Sequence, residues 1–172
     1  MTEESKKRYK EYLEELARKK SNEIFSNGGS DHAIVLYEVL LNNTKKDIRI
    51  FCEEGISSIW LSTEVKNALL MFLSQQDSNI KILIENKGND GFDIIKNNDN
   101  VEIRHIDADG ISKIHNHFDN NNCNFAVFDK DMFRYEYDKR EYKAYGSFND
   151  KEIADSMIKL FDSIWEVTEA AS

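Results

Sequence analysis

Two amides, Asn122 and Asn124, stand at the head of the apolar run Phe125-Ala126-Val127-Phe128, and the carboxylate of Asp129 closes it. Strand alternation puts both amides on one face. There they can hydrogen-bond to each other, to water or to an oxyanion, but they supply neither a nucleophile nor a proton that exchanges near pH 7. A second polar group follows at Gly146-Ser147-Phe148-Asn149, where Ser147 and Asn149 share a face. Those two suit either the oxygens of a phosphate or local turn and cap bonds. Arg134 and Glu136 also share a face, as a surface ion pair or as part of a pocket. Asp129 is open to two readings as well, a member of a polar site or the cap of a turn at Lys130-Asp131. His32 begins a helix after Gly28-Gly29, where backbone N–H groups can hold an anion and an imidazole can move a proton near neutrality. His115-x-His117-x-Asp119 has metallo-hydrolase spacing, yet Asn120 stands where such a motif continues with His. A solvated polar loop is therefore expected there, and no metal or other cofactor.

The elements that must position these groups follow from periodicity and punctuation. Residues 3–25 read as a charged amphipathic helix, with Tyr9, Leu13, Leu16 and Ala17 as its stripe and Asn27-Gly28-Gly29 as its stop. This helix either lies on its own domain or engages a partner protein. Ser30 or Asp31 is expected to cap a second helix, and Ser62 or Thr63 a third. Runs at 47–52, 79–84, 101–106, 123–129, 132–137 and 141–148 read as strands, with a short helix near Phe92 and a polar loop over 107–121. Asp150 caps the last and most amphipathic helix, which carries Ile153, Ala154, Met157, Ile158, Phe161, Ile164 and Trp165. Helices alternating with early strands, then hairpin strands, predict an α/β fold: one mixed sheet with helices on both faces. The organisation expected is an N-terminal helical segment over 1–27 and one domain over 28–172.

From Asn122 to Asn149 the chain resembles the phospholipase D-like superfamily, whose half-site reads His-x-Lys-x4-Asp followed by Gly-Ser-x-Asn. Counting back from Asp129 puts Asn122 at the His position and Asn124 at the Lys position, while Gly146-Ser147-Phe148-Asn149 matches the second element. Within that superfamily it looks like a stand-alone bacterial subgroup with a His-Ala helix start, an Arg-x-Glu and a Ser-Phe-Asn, here His32-Ala33, Arg134 with Glu136, and 147–149. The resemblance implies a phospholipase D-like fold with one half-site per chain, so a complete cleft needs a homodimer. Asn122, Asn124, Asp129, Arg134, Glu136, Ser147 and Asn149 would line a site for a phosphate-bearing ligand. It also implies a link to bacterial handling of foreign nucleic acid. Because amides replace the nucleophile and the cation, the expected function is a binding or regulatory module. The alternative is a phosphodiesterase or nuclease that uses His32 as a non-aligned histidine.

Composition bounds these readings. The chain has 172 residues, 40% of them hydrophobic, enough for one compact domain. Its formal charge of −9 disfavours broad attraction to nucleic acid or anionic lipid. The apolar runs are far shorter than the roughly 18–20 residues of a membrane span. The first residues, Met-Thr-Glu-Glu-Ser-Lys-Lys, have no apolar signal core, so a cytoplasmic protein is expected. Cys52 and Cys123 sit in apolar contexts that suit buried thiols in a reducing compartment.

Overall fold

The computed structural model describes residues 1–54, 57–86, 90–119 and 121–169. One seven-stranded sheet organises the fold, with strands β1 (Phe25–Asn27), β2 (Asp47–Cys52), β3 (Asn79–Ile84), β4 (Val101–His105), β5 (Asn124–Phe128), β6 (Met132–Asp138) and β7 (Lys143–Ser147). Their order across the sheet is β1-β7-β6-β5-β2-β3-β4. β2, β3 and β4 run parallel, whereas β5 joins β2 antiparallel and β6, β7 and β1 continue antiparallel. The sheet is mixed, as its alternation predicts.

Among the described residues six α-helices cover it: α1 (Glu3–Arg18), α2 (Ser30–Asn42), α3 (Ser58–Leu61), α4 (Thr63–Leu73), α5 (Ala108–His117) and α6 (Lys151–Trp165). Side chains alternate between two cores because successive strand residues face opposite ways. Ile48, Ile50, Ala126 and Phe128 meet the first four helices on one face. Phe125, Val127, Phe133 and Tyr135 meet Ile114 of α5 and Met157, Phe161 and Ile164 of α6 on the other. Asp150 caps α6 by accepting from the Ile153 N–H at 3.0 Å, and Ser62 caps α4 by accepting from the Val65 N–H at 3.3 Å. None of the described helices is long and apolar enough to cross a membrane.

Four local expectations are corrected. The first helix stops at Arg18 rather than running to 25, and Phe25–Asn27 is an edge strand on β7. Gly29, not Ser30 or Asp31, is the N-cap residue of α2, with φ 86° and no side-chain cap bond. The four-residue helix α3 precedes the one capped by Ser62. Residues 108–117 form a helix capped by Asp107 instead of a loop. That helix is short of apolar residues because it lies at the surface: within it only Gly110 and Ile114 are buried.

α1 packs on α2, burying Leu13 and Leu16. Lys6 Nζ lies 2.8 Å from Glu64 Oε1 and ties α1 to α4. The Lys6 hydrogen bond, followed by the local backbone N–H, holds the Glu64 carboxyl below the usual carboxylate range. A depressed folded-state pKa stabilises the fold above the ordinary carboxylate pKa, and this contribution is lost as pH falls through the folded value. Both side chains are about one-third exposed, so screening limits the effect. Glu64→Gln is expected to cost less than about 1 kcal/mol at pH 7 and less near pH 3 than at pH 7. Thermal midpoints of wild type and variant that stay equally far apart at both pH values would contradict this.

Candidate functional site

β5 and β6 place Asn124 directly opposite Glu136, and Ala126 opposite Arg134. On the far side of β6, Arg134 faces Gly146 and Glu136 faces Ala144. Small neighbours on both flanks leave room for a guanidinium inside the sheet layer. Arg134 and Glu136 are accordingly 1% and 2% exposed, so their pair is internal and not at the surface. Arg134 Nη1 lies 2.8 Å from Glu136 Oε2, and the guanidinium carbon sits 5.0 Å from the centre of the Tyr37 ring. The contact lacks hydrogen-bond alignment, which leaves Glu136 Oε2 and Arg134 Nε without a hydrogen-bonding partner among the described residues.

Asn124 is satisfied at both ends of its amide: Oδ1 accepts from the Glu53 N–H at 2.9 Å, and Nδ2 donates to Glu136 Oε1 at 2.8 Å. Asn122 is exposed and accepts from Lys139 Nζ at 2.7 Å, while the same ammonium reaches Glu53 at 2.5 Å. Asn124, Glu53, Glu136 and Lys139, but not Asn122, line a cavity of about 250 Å³ at the C-terminal end of the parallel strand β2. Glu53, Glu54, Glu136 and Lys139 supply its charge, and Tyr37, Trp60 and Tyr142 its aromatic wall. Crevices beyond the carboxyl ends of parallel strands are the usual ligand positions in open α/β sheets. No imidazole is among the described residues lining this one.

Ser147 and Asn149 lie elsewhere. Ser147 pairs with Phe133, three positions along β6 from Glu136, about 10 Å at the rise of a strand. Its fully buried Oγ accepts from the Asn149 N–H at 3.2 Å, and Asn149 Nδ2 donates to the Lys20 carbonyl at 3.0 Å. Asp129 sits beyond the far end of β5 in a left-handed conformation, φ 55°. Its carboxylate accepts from the N–H groups of Lys45, Lys46 and Asp47 at 2.9, 2.8 and 3.2 Å. The structure therefore joins Asn124, Arg134 and Glu136, with Asn122 linked through Lys139. Ser147, Asn149 and Asp129 stand together at the opposite pole.

His32 is half-buried at the start of α2, its ring edge-on to Tyr9 at 4.8 Å, beside a shallow depression that includes Met1 and Asp31. It does not line the cavity at Asn124. His115 and His117 are two positions apart on α5, so their side chains diverge by roughly 200° and cannot share a ligand. His117 Nε2 instead lies 3.3 Å from Ser156 Oγ, and Asn120 is outside the described residues. Among the described residues no three His, Cys, Asp or Glu side chains converge as a metal site would need. Burial pushes the Cys123 thiol up to about 12 and the Cys52 thiol higher still, so both stay protonated and neither serves as a nucleophile.

No family model and no curated protein sequence matches the chain. Solved structures do. A phospholipase D family member, Nuc from Salmonella typhimurium, superposes with a TM-score of 0.61 at 17% identity, over 87% of this chain and 99% of that one. The fold is phospholipase D-like. NucT from Helicobacter pylori shares it, with a TM-score of 0.59 at 10% identity over 87% of this chain and all of that one. TrmBL2, an archaeal chromatin protein that binds DNA, matches with a TM-score of 0.62 at 14% identity over 98% of this chain. This chain spans 63% of the TrmBL2 chain. Within the phospholipase D-like fold, the end of β5 that carries Asn122 and Asn124 opens on the acidic, aromatic cavity. The hydrogen bonds around Asn124 show what its residue type achieves locally: a short amide bridges β2, β5 and β6 without bringing a charge.

Proposed function

We propose that this chain is a catalytically degenerate phospholipase D-like protein that works as a homodimeric binding module rather than as a hydrolase. The observation that carries the reading is the state of Asn124: both ends of its amide are consumed by Glu53 and Glu136, beside a cavity with three glutamates, one lysine and no imidazole among its described residues. A diester entering that cavity would meet carboxylates where charge on the transition state must be neutralised. Loss of the attacking group alone removes several orders of magnitude of rate. Support for a second copy comes from the resembled half-site, which one chain supplies once. It also comes from Tyr137 and Tyr145, 41% and 37% exposed, whose rings lie 6.0 Å apart on neighbouring strands. DNA binding of the kind known for TrmBL2 is not favoured here, because the chain carries a net charge of −9.

The test is direct. Purified protein is expected to leave bis(4-nitrophenyl) phosphate, single-stranded DNA and duplex DNA uncleaved, with and without chelator, and to sediment as a dimer. Cleavage that disappears in His32→Ala would reverse the hydrolytic part of the reading, and a monomer at micromolar concentration would reverse the assembly part.

A further inference from the structure

A second cavity, of about 480 Å³, lies at the opposite pole, around the start of β2 and the β5–β6 turn. Lys20, Lys45, Lys46, Lys130 and Lys151 line it. None of the five makes an ion pair with the described residues, whereas Lys6, Lys10, Lys96, Lys139 and Lys143 elsewhere are each paired with a carboxylate. Asp47, Asp129 and Asp131 line the same cavity, which leaves five lysines against three carboxylates and a local excess of positive charge in a chain of net charge −9. We propose that this cavity binds a small phosphate-bearing molecule with an apolar ring, of the nucleoside diphosphate class.

Three features build the site. Asp129 lines the cavity, but its carboxylate is turned onto the N–H groups of Lys45, Lys46 and Asp47, which holds the backbone carrying two of the lysines. Asn149 grips the carbonyl of Lys20, whose φ of 48° is uncommon for a residue other than glycine, and so fixes the end of α1 at the rim. The Asp150 N–H donates to the Asp131 carbonyl at 2.7 Å, which locks the turn bearing Lys130 to the start of α6 bearing Lys151. Beside the polar Asn43, Asp47 and Asp131, the side chains of Met132, Phe148 and Ala17 form an apolar stretch of wall, so a ring has a surface to lie on. The volume falls within the roughly 300–1,000 Å³ of small-molecule sites. A concavity of this size within an acidic protein suits a compact polyanion, whereas a nucleic acid strand needs a basic track.

Calorimetric titration of the full chain at low salt tests this with ADP, pyrophosphate, adenosine and a single-stranded oligonucleotide. One ADP per chain is expected at micromolar affinity. Pyrophosphate should bind about tenfold more weakly because it leaves the apolar wall empty, and adenosine weaker still. Lys45→Ala with Lys130→Ala should lower ADP affinity at least about tenfold without moving the thermal midpoint of the free protein, since both side chains are exposed. Absence of ADP binding up to about 1 mM overturns the proposal. Equal affinity for pyrophosphate and ADP, affinity unchanged by the lysine substitutions, or tighter binding of the oligonucleotide would each do the same. The titration involves no turnover, so its failure leaves the non-hydrolytic reading standing, and hydrolysis by the wild type would leave this one standing.

Discussion

Arg134→Ala is expected to remove about 3–5 kcal/mol of stability, the largest loss foreseen for any single side chain here. Arg134 is 1% exposed, and its removal leaves the 2%-exposed Glu136 with a buried charge and only Asn124 as a donor. A vacated guanidinium volume beneath Tyr37 adds a cavity term. Against a total stability of about 5–15 kcal/mol for a typical domain, such a loss brings the variant close to unfolding at ambient temperature. Replacing both partners, Arg134→Met with Glu136→Gln, should recover more than half of the loss. The glutamine still accepts from Asn124, and no charge remains buried. Urea unfolding followed by Trp60 and Trp165 fluorescence measures both variants. A cost below about 1 kcal/mol for Arg134→Ala, or a double variant weaker than the single, would show that the ion pair is not what holds this layer.

Gly146→Ala should be nearly as damaging, by about 2–4 kcal/mol. A Cβ at this position would fall inside the contact shell of the Phe133 carbonyl and 3.0 Å from Cε2 and Cζ of Phe25. The carbonyl cannot yield, because Phe133 belongs to the β6 strand that pairs with β7 on one side and β5 on the other. Relief would have to come from the β1–β7 edge, where Phe25 is opposite Gly146. Gly28→Ala is the matched control: its added Cβ would meet only Lys143 Cγ at 3.8 Å, so a change below about 1 kcal/mol is expected. Equal thermal midpoints for the two variants would contradict the steric account.

Residues that declare themselves through local chemistry were legible in advance. α6 combines a capping Asp150 with an unbroken apolar face, and both features act within a few residues of sequence. Alternation and β-branched composition likewise mark β2, β3 and β4. α5 was concealed because Gly110 interrupts a polar stretch. That glycine is needed for packing: a Cβ there would collide with Ile106 and crowd Ile164 of α6. β1 was concealed by its length, since three residues form a strand only when β7 offers an edge. The lysine cavity gave no signal in the chain, because its five ammonium groups come from segments as distant as residues 20 and 151.

The sequence by itself determined that a mixed α/β sheet forms, that the head of β5 carries neutral amides, and that a serine and an asparagine follow one hairpin later. Only the tertiary structure decided which of these groups meet. Antiparallel register sets Asn124 against Glu136 and Ser147 against Phe133, so the two polar groups face opposite poles of the sheet. The physical reason is that residue types and spacing constrain the backbone over a few residues. The register of strands paired across a hairpin, which includes a shift between Glu136 and Asp138, depends on how all the layers pack at once.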